Sequence, residues 1–230
     1  MRNWVAMTGA TSPAVTRAAL AANYGSIEMI DDRVGQILAT LDRLGQRDRT
    51  VVVFTSDHGD MMGDHGLLLK GFMHYRGTLQ VPLVIVDPRR GAGRTASLAS
   101  SIDLGPTLLD LAGIEPYHGI QGRSLTPLMD DPSATVRDHV LIEDDLDVPI
   151  EVARMPTSIR TLITPTHRYT RYNTGEDGLY ELGTDDDERT NVAAAEPRRR
   201  AALVEQLTDA LIAHTDTSRY APVAGVAGGH

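Results

Sequence analysis

The sequence contains no cysteine and few large aromatic side chains, with two phenylalanines and one tryptophan among 230 residues. The lack of cysteine excludes disulfides, thiolate zinc sites and a cysteine-derived nucleophile within this sequence. Positive charge is also scarce, because the formal net charge is −9. A protein that neutralises nucleic-acid phosphates needs a basic face, so we expect no nucleic-acid partner.

Long hydrophobic runs are missing as well. No segment approaches the roughly 20 apolar residues that cross a bilayer, so we expect no membrane partner. The first twenty residues contain no continuous apolar core of signal-peptide length. As written, the chain is expected in the cytoplasm, and a complete gene could differ.

The composition that remains is that of an ordinary globular protein, with 41% hydrophobic and 23% charged residues. A chain of 230 residues can bury one substantial core, or one core with a smaller satellite lobe. The order of the predicted elements favours the second arrangement.

The first part of the chain has the pattern of an α/β domain. Apolar residues at helical spacing predict an amphipathic helix over 19–44 that covers a sheet and stops at Gly45. The β-branched run 50–56 predicts a strand buried on both faces, as in a helix-covered parallel sheet. A second strand is predicted over 81–86 and a short helix over 102–111.

After about residue 132 the pattern changes to short strands separated by turn residues. These strands are predicted over 140–143, 159–163, 167–172 and 179–182, followed by an amphipathic helix over 197–214. We therefore expect three regions: residues 1–135 in the α/β domain, 136–216 in a small antiparallel lobe with a closing helix, and 217–230 in a flexible tail.

The segment 55–76 carries the side chains that are suited to bind a metal ion or an anion. It contains three aspartates, three histidines and one lysine, and Asp57 and His58 directly follow the predicted strand. In open α/β sheets ligands bind beyond the carboxyl ends of the strands. Adjacent carboxylate and imidazole groups at that position can both reach one divalent cation. Lys70 is suited to a sulfate or phosphate oxygen.

An alternative interpretation of the same residues is structural. Asp-His-Gly after a strand is also common in a plain turn, where the aspartate caps its own backbone. The number of ligand-type residues in this segment favours the functional interpretation over a turn.

The sequence resembles the sulfatase family of the alkaline phosphatase superfamily. The resemblance covers about residues 24–214 and is carried by ordered motifs: Ser-Asp-His-Gly-Asp-Met-Met-Gly-Asp-His-Gly at 56–66, Lys-Gly at 70–71, Val-Pro-Leu-Val-Ile at 81–85, and Gly-Leu-Tyr-Glu-Leu at 178–182. It implies the C-terminal part of an alkaline-phosphatase-like, helix-covered mixed sheet, followed by a small antiparallel lobe with a helix.

The resemblance also implies roles for individual residues. Asp57 and His58 would be metal ligands, and Lys70 would contact the sulfate or its leaving oxygen. His65 and His74 would lie near the substrate or support the ligands. The implied metal is calcium by family precedent, whereas the imidazole of His58 is better matched by manganese.

The family's nucleophile segment, Cys-x-Pro-x-Arg or Ser-x-Pro-x-Arg, has no counterpart in this sequence. We therefore expect a fragment that supplies part of a metal and anion site but not the nucleophile. Its partner would be the missing N-terminal half as a separate chain, or a further copy in a homo-oligomer.

Three functions stay open from the sequence. The first is metal-dependent hydrolysis of a small sulfate ester. The second, with the same fold, is hydrolysis of a phosphonate monoester or phosphodiester, because a metal and a lysine serve either anion. The third is a catalytically inactive remnant.

Overall fold

The computed structural model describes residues 12–117, 119–146 and 156–214. The tail predicted over 217–230 lies outside the described residues. The helices are α1 (Pro13–Arg43), α2 (Arg76–Leu79), α3 (Leu104–Leu111), α4 (Thr126–Asp130) and α5 (Pro197–Ala213). The strands are β1 (Val52–Thr55), β2 (Leu83–Val86), β3 (Val140–Asp145), β4 (Ser158–Ile163), β5 (His167–Tyr172) and β6 (Asp177–Glu181).

Helix α1 begins six residues earlier than the hydrophobic pattern predicts. The side chain of Ser12 caps it by accepting a hydrogen bond from the Val15 N–H at 3.4 Å, and Pro13 occupies the first turn. These start signals lie before the apolar stripe, which is why periodicity alone missed them. The predicted end is confirmed: Gly45 has φ +61° and its N–H donates to the Asp42 carbonyl at 3.0 Å.

Strands β1 and β2 form a two-stranded antiparallel sheet, with Val52 opposite Val86 and Thr55 opposite Leu83. The prediction of a strand buried on both faces of a parallel sheet is therefore wrong for the described residues. Half of the Val84 side chain is exposed. An apolar run predicts a buried strand, but burial requires neighbouring elements, and the described residues give β1 one neighbour only.

The apolar stripe of α1 is likewise not covered. None of its residues is buried, and Ile27, Ile30 and Ile37 are each about half exposed. The prediction that this helix covers a sheet is wrong within the described part of the chain.

The C-terminal region forms a four-stranded antiparallel sheet in the order β3-β4-β5-β6, as expected from the short strands. Its core joins β4, β5 and β6 to α5, with every contributing side chain less than a tenth exposed: Leu162, Tyr169, Leu179, Ala193, Leu203, Leu207 and Ala210. We refer to β3–β6 with α5 as the lobe. The overall α/β class with an antiparallel lobe is confirmed, whereas the domain boundaries at residues 135 and 216 stay a prediction.

A buried ion pair ties the segment between the two sheets together. Asp103 is fully buried and accepts hydrogen bonds from Ser100 N–H and Arg123 N–H, each at 2.8 Å, and from the Arg137 guanidinium. Arg137 is itself buried, so the pair forms away from water.

No helix in the described residues is long and apolar enough to cross a membrane.

Candidate metal and anion site

Asp57 and His58 lie just beyond the end of β1, separated from it by Ser56, whereas the sequence predicts that they follow the strand directly. The Asp57 side chain is 83% exposed, and its Oδ2 lies 3.5 Å from His58 Nε2. The backbone N–H of His58 donates to Asp57 Oδ1 at 3.0 Å and is the largest cause that lowers the pKa of Asp57. The carboxylate is therefore ionised at neutral pH and accessible to a cation.

Lys70 is brought to the same place. Its Nζ lies 2.9 Å from His58 Nε2, although twelve residues separate the two in sequence. On its other side, His58 Nδ1 lies 2.9 Å from the carbonyl oxygen of Gly59. A carbonyl can only accept, so Nδ1 carries the proton, and the lone pair of Nε2 accepts a hydrogen bond from the Lys70 ammonium group. A metal ion would bind Nε2 in place of that hydrogen bond.

The backbone after these residues packs tightly against a later segment. The N–H of Gly59 donates to the Thr78 carbonyl at 3.0 Å. A Cβ at position 59 would lie 2.1 Å from the Gly77 carbonyl oxygen, a distance that no side chain tolerates. Glycine is therefore required at this position, and the contact holds the loop beside α2.

His65 lies in a different environment from Lys70. Its ring stacks on Tyr75 with centroids 3.9 Å apart, and its backbone is left-handed with φ +53°. Both rings line a cavity of about 330 Å³ that also includes Arg76 and Asp186. The structure thus places His65 in an aromatic stack, and whether it contacts a substrate stays a prediction.

His74 is buried against the lobe. Only 4% of it is exposed, and its Nδ1 lies 2.8 Å from the Thr161 hydroxyl of β4. Burial lowers the pKa of His74 to about 4, an effect that Asp144 opposes. The ring is therefore neutral at ordinary pH, and its described contacts are with the sheet.

Sequence reasoning missed the buried ion pair of Arg168 and Glu188, which are each 2% exposed. Glu188 follows three aspartates in the acidic run 185–188, of which Asp186 and Asp187 are exposed, so composition predicts a solvated turn. One signal was available: Arg168 lies inside the strand predicted over 167–172, and an arginine that is buried in a sheet requires a buried partner.

Asp57 and His58 fit a divalent cation by donor chemistry, but they do not complete its shell. Within the described ranges, no group of three or more histidine, aspartate or glutamate residues is close enough to hold a metal ion. Calcium takes 6–8 oxygen ligands, and manganese accepts imidazole beside carboxylate. Two donors at one strand end are too few to make a metal site by themselves.

Comparison with known proteins places residues 3–217 in one group. The family model described as Sulfatase matches residues 3–114, and that described as N-sulphoglucosamine sulphohydrolase, C-terminal, matches residues 63–217. An arylsulfatase from Clostridium perfringens is 31% identical over 215 residues, which is 88% of this chain and 43% of that protein.

Solved structures give the same grouping. A candidate sulfatase from Bacteroides thetaiotaomicron matches 93% of this chain and 47% of its own, with a TM-score of 0.82 and 25% identity. The phosphonate monoester hydrolase of Agrobacterium radiobacter matches 84% of this chain and 41% of its own, with a TM-score of 0.76 and 33% identity. The chain spans less than half the length of these proteins.

Proposed function

Because the chain belongs to the sulfatase family, we propose that it is the C-terminal share of a sulfuric ester hydrolase. In this proposal Asp57 and His58 are two ligands of a divalent metal ion, and Lys70 holds an oxygen of the sulfate group. The substrate is a small sulfate ester.

The observation that carries the proposal is the contact between Lys70 Nζ and His58 Nε2, 2.9 Å apart beside the exposed carboxylate of Asp57. It brings a protein cation and two metal-type donors to one strand end. A bound divalent ion there would supply charge that stabilises the reacting anion. Lys70 would orient the anion and stabilise negative charge on its oxygens.

In this proposal the nucleophile and the remaining metal ligands come from a part of the family fold that this sequence does not contain. The chain contains no cysteine, and it spans 43% of the arylsulfatase from Clostridium perfringens. The complement is an N-terminal part, on a separate polypeptide or on a longer form of this one. A second copy of this chain is the alternative partner.

The uncovered apolar surface supports such a partner. We call it the apolar face: the exposed large apolar side chains of α1 together with those of β1 and β2, namely Val15, Tyr24, Ile27, Met29, Ile30, Ile37, Phe54, Leu83, Val84 and Val86. A two-stranded sheet is marginal on its own and leaves unpaired backbone groups on both edges. A partner that adds strands to this sheet would cover the face and pair the edges.

Hydrolysis of a phosphonate monoester or phosphodiester is the second candidate. It is favoured by the 33% identity to the phosphonate monoester hydrolase of Agrobacterium radiobacter over 84% of this chain. The same metal ligands and lysine would bind a tetrahedral phosphorus group. An inactive remnant is the candidate of another class.

The metal assignment is tested by titrating Mn²⁺ and Ca²⁺ into the purified chain by calorimetry. We expect the wild type to bind at least one of them and Asp57→Ala to lose most of that binding, because the carboxylate is one of two donors. Asp209→Ala, an exposed aspartate on α5, is the matched control and should bind as the wild type does. Equal binding by Asp57→Ala and the wild type would refute the metal assignment.

The reaction is tested with aryl sulfate and aryl phosphodiester substrates, with each metal, on the chain alone and with a supplied N-terminal part of a sulfatase. Turnover only in the combined sample, and lost in Asp57→Ala, would support a shared site. The preferred substrate would separate the two hydrolase candidates. Metal-dependent turnover by the chain alone would mean that it contains its own nucleophile. Absence of turnover in every combination would favour the remnant.

A further inference from the structure

We propose that His74, Arg168 and Glu188 are positioning residues, through which the lobe sets the conformation of the loop that carries Asp57 and His58. Their effect on metal binding rests on the function proposed above. Their mechanical effect on the loop does not, and the two are measured separately below.

The first step is a line of hydrogen bonds inside the sheet. Thr161 on β4 lies opposite Thr170 on β5, both are buried, and their hydroxyls are 2.8 Å apart. Arg168 Nη1 donates to the Thr170 hydroxyl at 2.8 Å, and the Thr161 hydroxyl contacts His74 Nδ1 at 2.8 Å. Three consecutive hydrogen-bond contacts thus connect Arg168 of the lobe to His74.

The direction of this line follows from its ends. Arg168 can only donate, and the carboxylate of Asp144 lies 3.6 Å from His74 Nε2. If Thr170 donates to Thr161 and Thr161 donates to Nδ1, then Nε2 carries the proton and faces that carboxylate. The reverse order would turn the lone pair of Nε2 toward a negative charge. The line therefore selects one tautomer and one ring orientation of His74.

The second step is the buried ion pair. Arg168 Nε donates to one carboxylate oxygen of Glu188, and the other oxygen accepts the backbone N–H of Arg76 at 2.7 Å. The Arg168 guanidinium also lies 5.0 Å from the ring centre of Tyr75 and 4.4 Å from that of Tyr180. Buried charge-assisted hydrogen bonds are strong and directional, so the backbone at residue 76 is held in register with β5.

The third step connects residues 73–78 to the candidate ligands. The hydrogen of the Thr78 hydroxyl is shared within this segment between the carbonyls of Met73 and Tyr75, each 2.8 Å from the hydroxyl oxygen. The Thr78 carbonyl accepts the N–H of Gly59, the residue next to His58. A shift of residues 73–78 would therefore move the Gly59 backbone as well, because the two segments are joined by this hydrogen bond.

The coupling is tested by amide hydrogen exchange of the full chain with Thr161→Val, which keeps the side-chain volume and removes the hydroxyl that contacts His74. We expect exchange in peptides covering 57–80 to become about tenfold faster, since a buried hydrogen-bond partner is lost, while peptides of α5 change little. Thr208→Val, exposed on α5, is the matched control. Equal acceleration in α5, or none in 57–80, would overturn the proposal.

Glu188→Gln is the second variant, and it decides the question if Thr161→Val does not fold. The amide keeps an acceptor for Arg76 N–H but removes the charge that pairs with Arg168. We again expect faster exchange in 57–80, and wild-type exchange there would count against the coupling.

The effect on the ligands is measured by Mn²⁺ titration of the same variants. If the contacts only stabilised the fold, the Mn²⁺ affinity of the folded protein would not change. We expect the Mn²⁺ dissociation constant to rise about fivefold or more in both, because the ligand pair is less well ordered. If the wild type binds Ca²⁺ and not Mn²⁺, the same titrations are made with Ca²⁺. If it binds neither ion, the metal assignment fails, and hydrogen exchange alone decides the coupling. Unchanged Mn²⁺ affinity with accelerated exchange would overturn the positioning role.

Discussion

His74 illustrates how one residue type is used differently at two positions of the same segment. The ring of His58 is partly exposed and its Nε2 contacts the Lys70 ammonium group, whereas the ring of His74 is 4% exposed and its Nδ1 contacts the Thr161 hydroxyl. Burial is the largest cause that lowers the pKa of His74 to about 4, and Arg168 and Arg160 add to it while Asp144 opposes it. Environment, and not residue identity, separates a candidate ligand from a packing residue.

This difference predicts a pH dependence of stability. The unfolded histidine titrates near 6.5 and the folded one near 4, so the unfolded state binds more protons between these values and stability falls as pH is lowered through that window. Between pH 7.5 and 5 the loss is about 2 kcal/mol from this residue. Urea unfolding at pH 7.5 and at pH 5 should show a smaller loss of unfolding free energy in His74→Gln, because glutamine does not titrate. An identical loss in wild type and variant would contradict the assignment.

Lys70 is expected to matter for the anion and not for the fold. Its ammonium group contacts His58 at the surface, where an ion or hydrogen-bond partner contributes little to stability. Lys70→Met should therefore unfold at the same urea concentration as the wild type. In the combined sample that shows turnover, it should lower kcat/KM by roughly 10²–10³, the usual effect of removing one charge-stabilising donor. Wild-type kcat/KM would show that the lysine does not contact the reacting group.

At the scale of elements, the lobe owes its stability to the face that α5 buries against the sheet. Leu207 is 3% exposed and packs in the cluster with Leu162, Tyr169 and Leu179. Leu207→Ala should lower the free energy of unfolding by about 2–5 kcal/mol, through lost burial and a residual cavity. Ile212→Ala, on the same helix and 70% exposed, should change it by no more than about 0.5 kcal/mol. Similar losses in both variants would mean that α5 does not pack as described.

At the scale of the whole molecule, burial is unequally distributed. The lobe has a closed core, whereas α1 has no buried residue and β2 has an exposed valine at two of its four positions. Large exposed apolar surfaces mark interaction sites or aggregation liabilities. The isolated chain should therefore self-associate through the apolar face.

Light scattering of the purified chain tests this expectation. Val84→Glu places a charge in the apolar face and should lower the average mass of the particles, because a charge on an edge strand opposes pairing. Ile212→Glu places the same charge on the exposed side of α5 and should leave the mass as in the wild type. Equal masses for all three proteins would show that the face does not mediate association.

The sequence by itself determined the class of the fold and the location of the candidate site. Short-range signals were sufficient for this: the β-branched run before Asp57, the turn residues between the strands of the lobe, and the apolar spacing of α5 are all local. The start of α1 is also determined by local residues, Ser12 and Pro13, although it lies before the region of apolar periodicity.

Only the tertiary structure decided which ligand-type residues lie together. His58 and Lys70 meet across twelve residues, while His74 meets Thr161 across 87, and spacing in sequence does not predict either distance. Burial was decided in the same way, since an apolar strand or helix is covered only when another element reaches it. The buried pair of Arg168 and Glu188 follows from the packing of β5 against the acidic turn, and no local pattern separates Glu188 from its exposed neighbours.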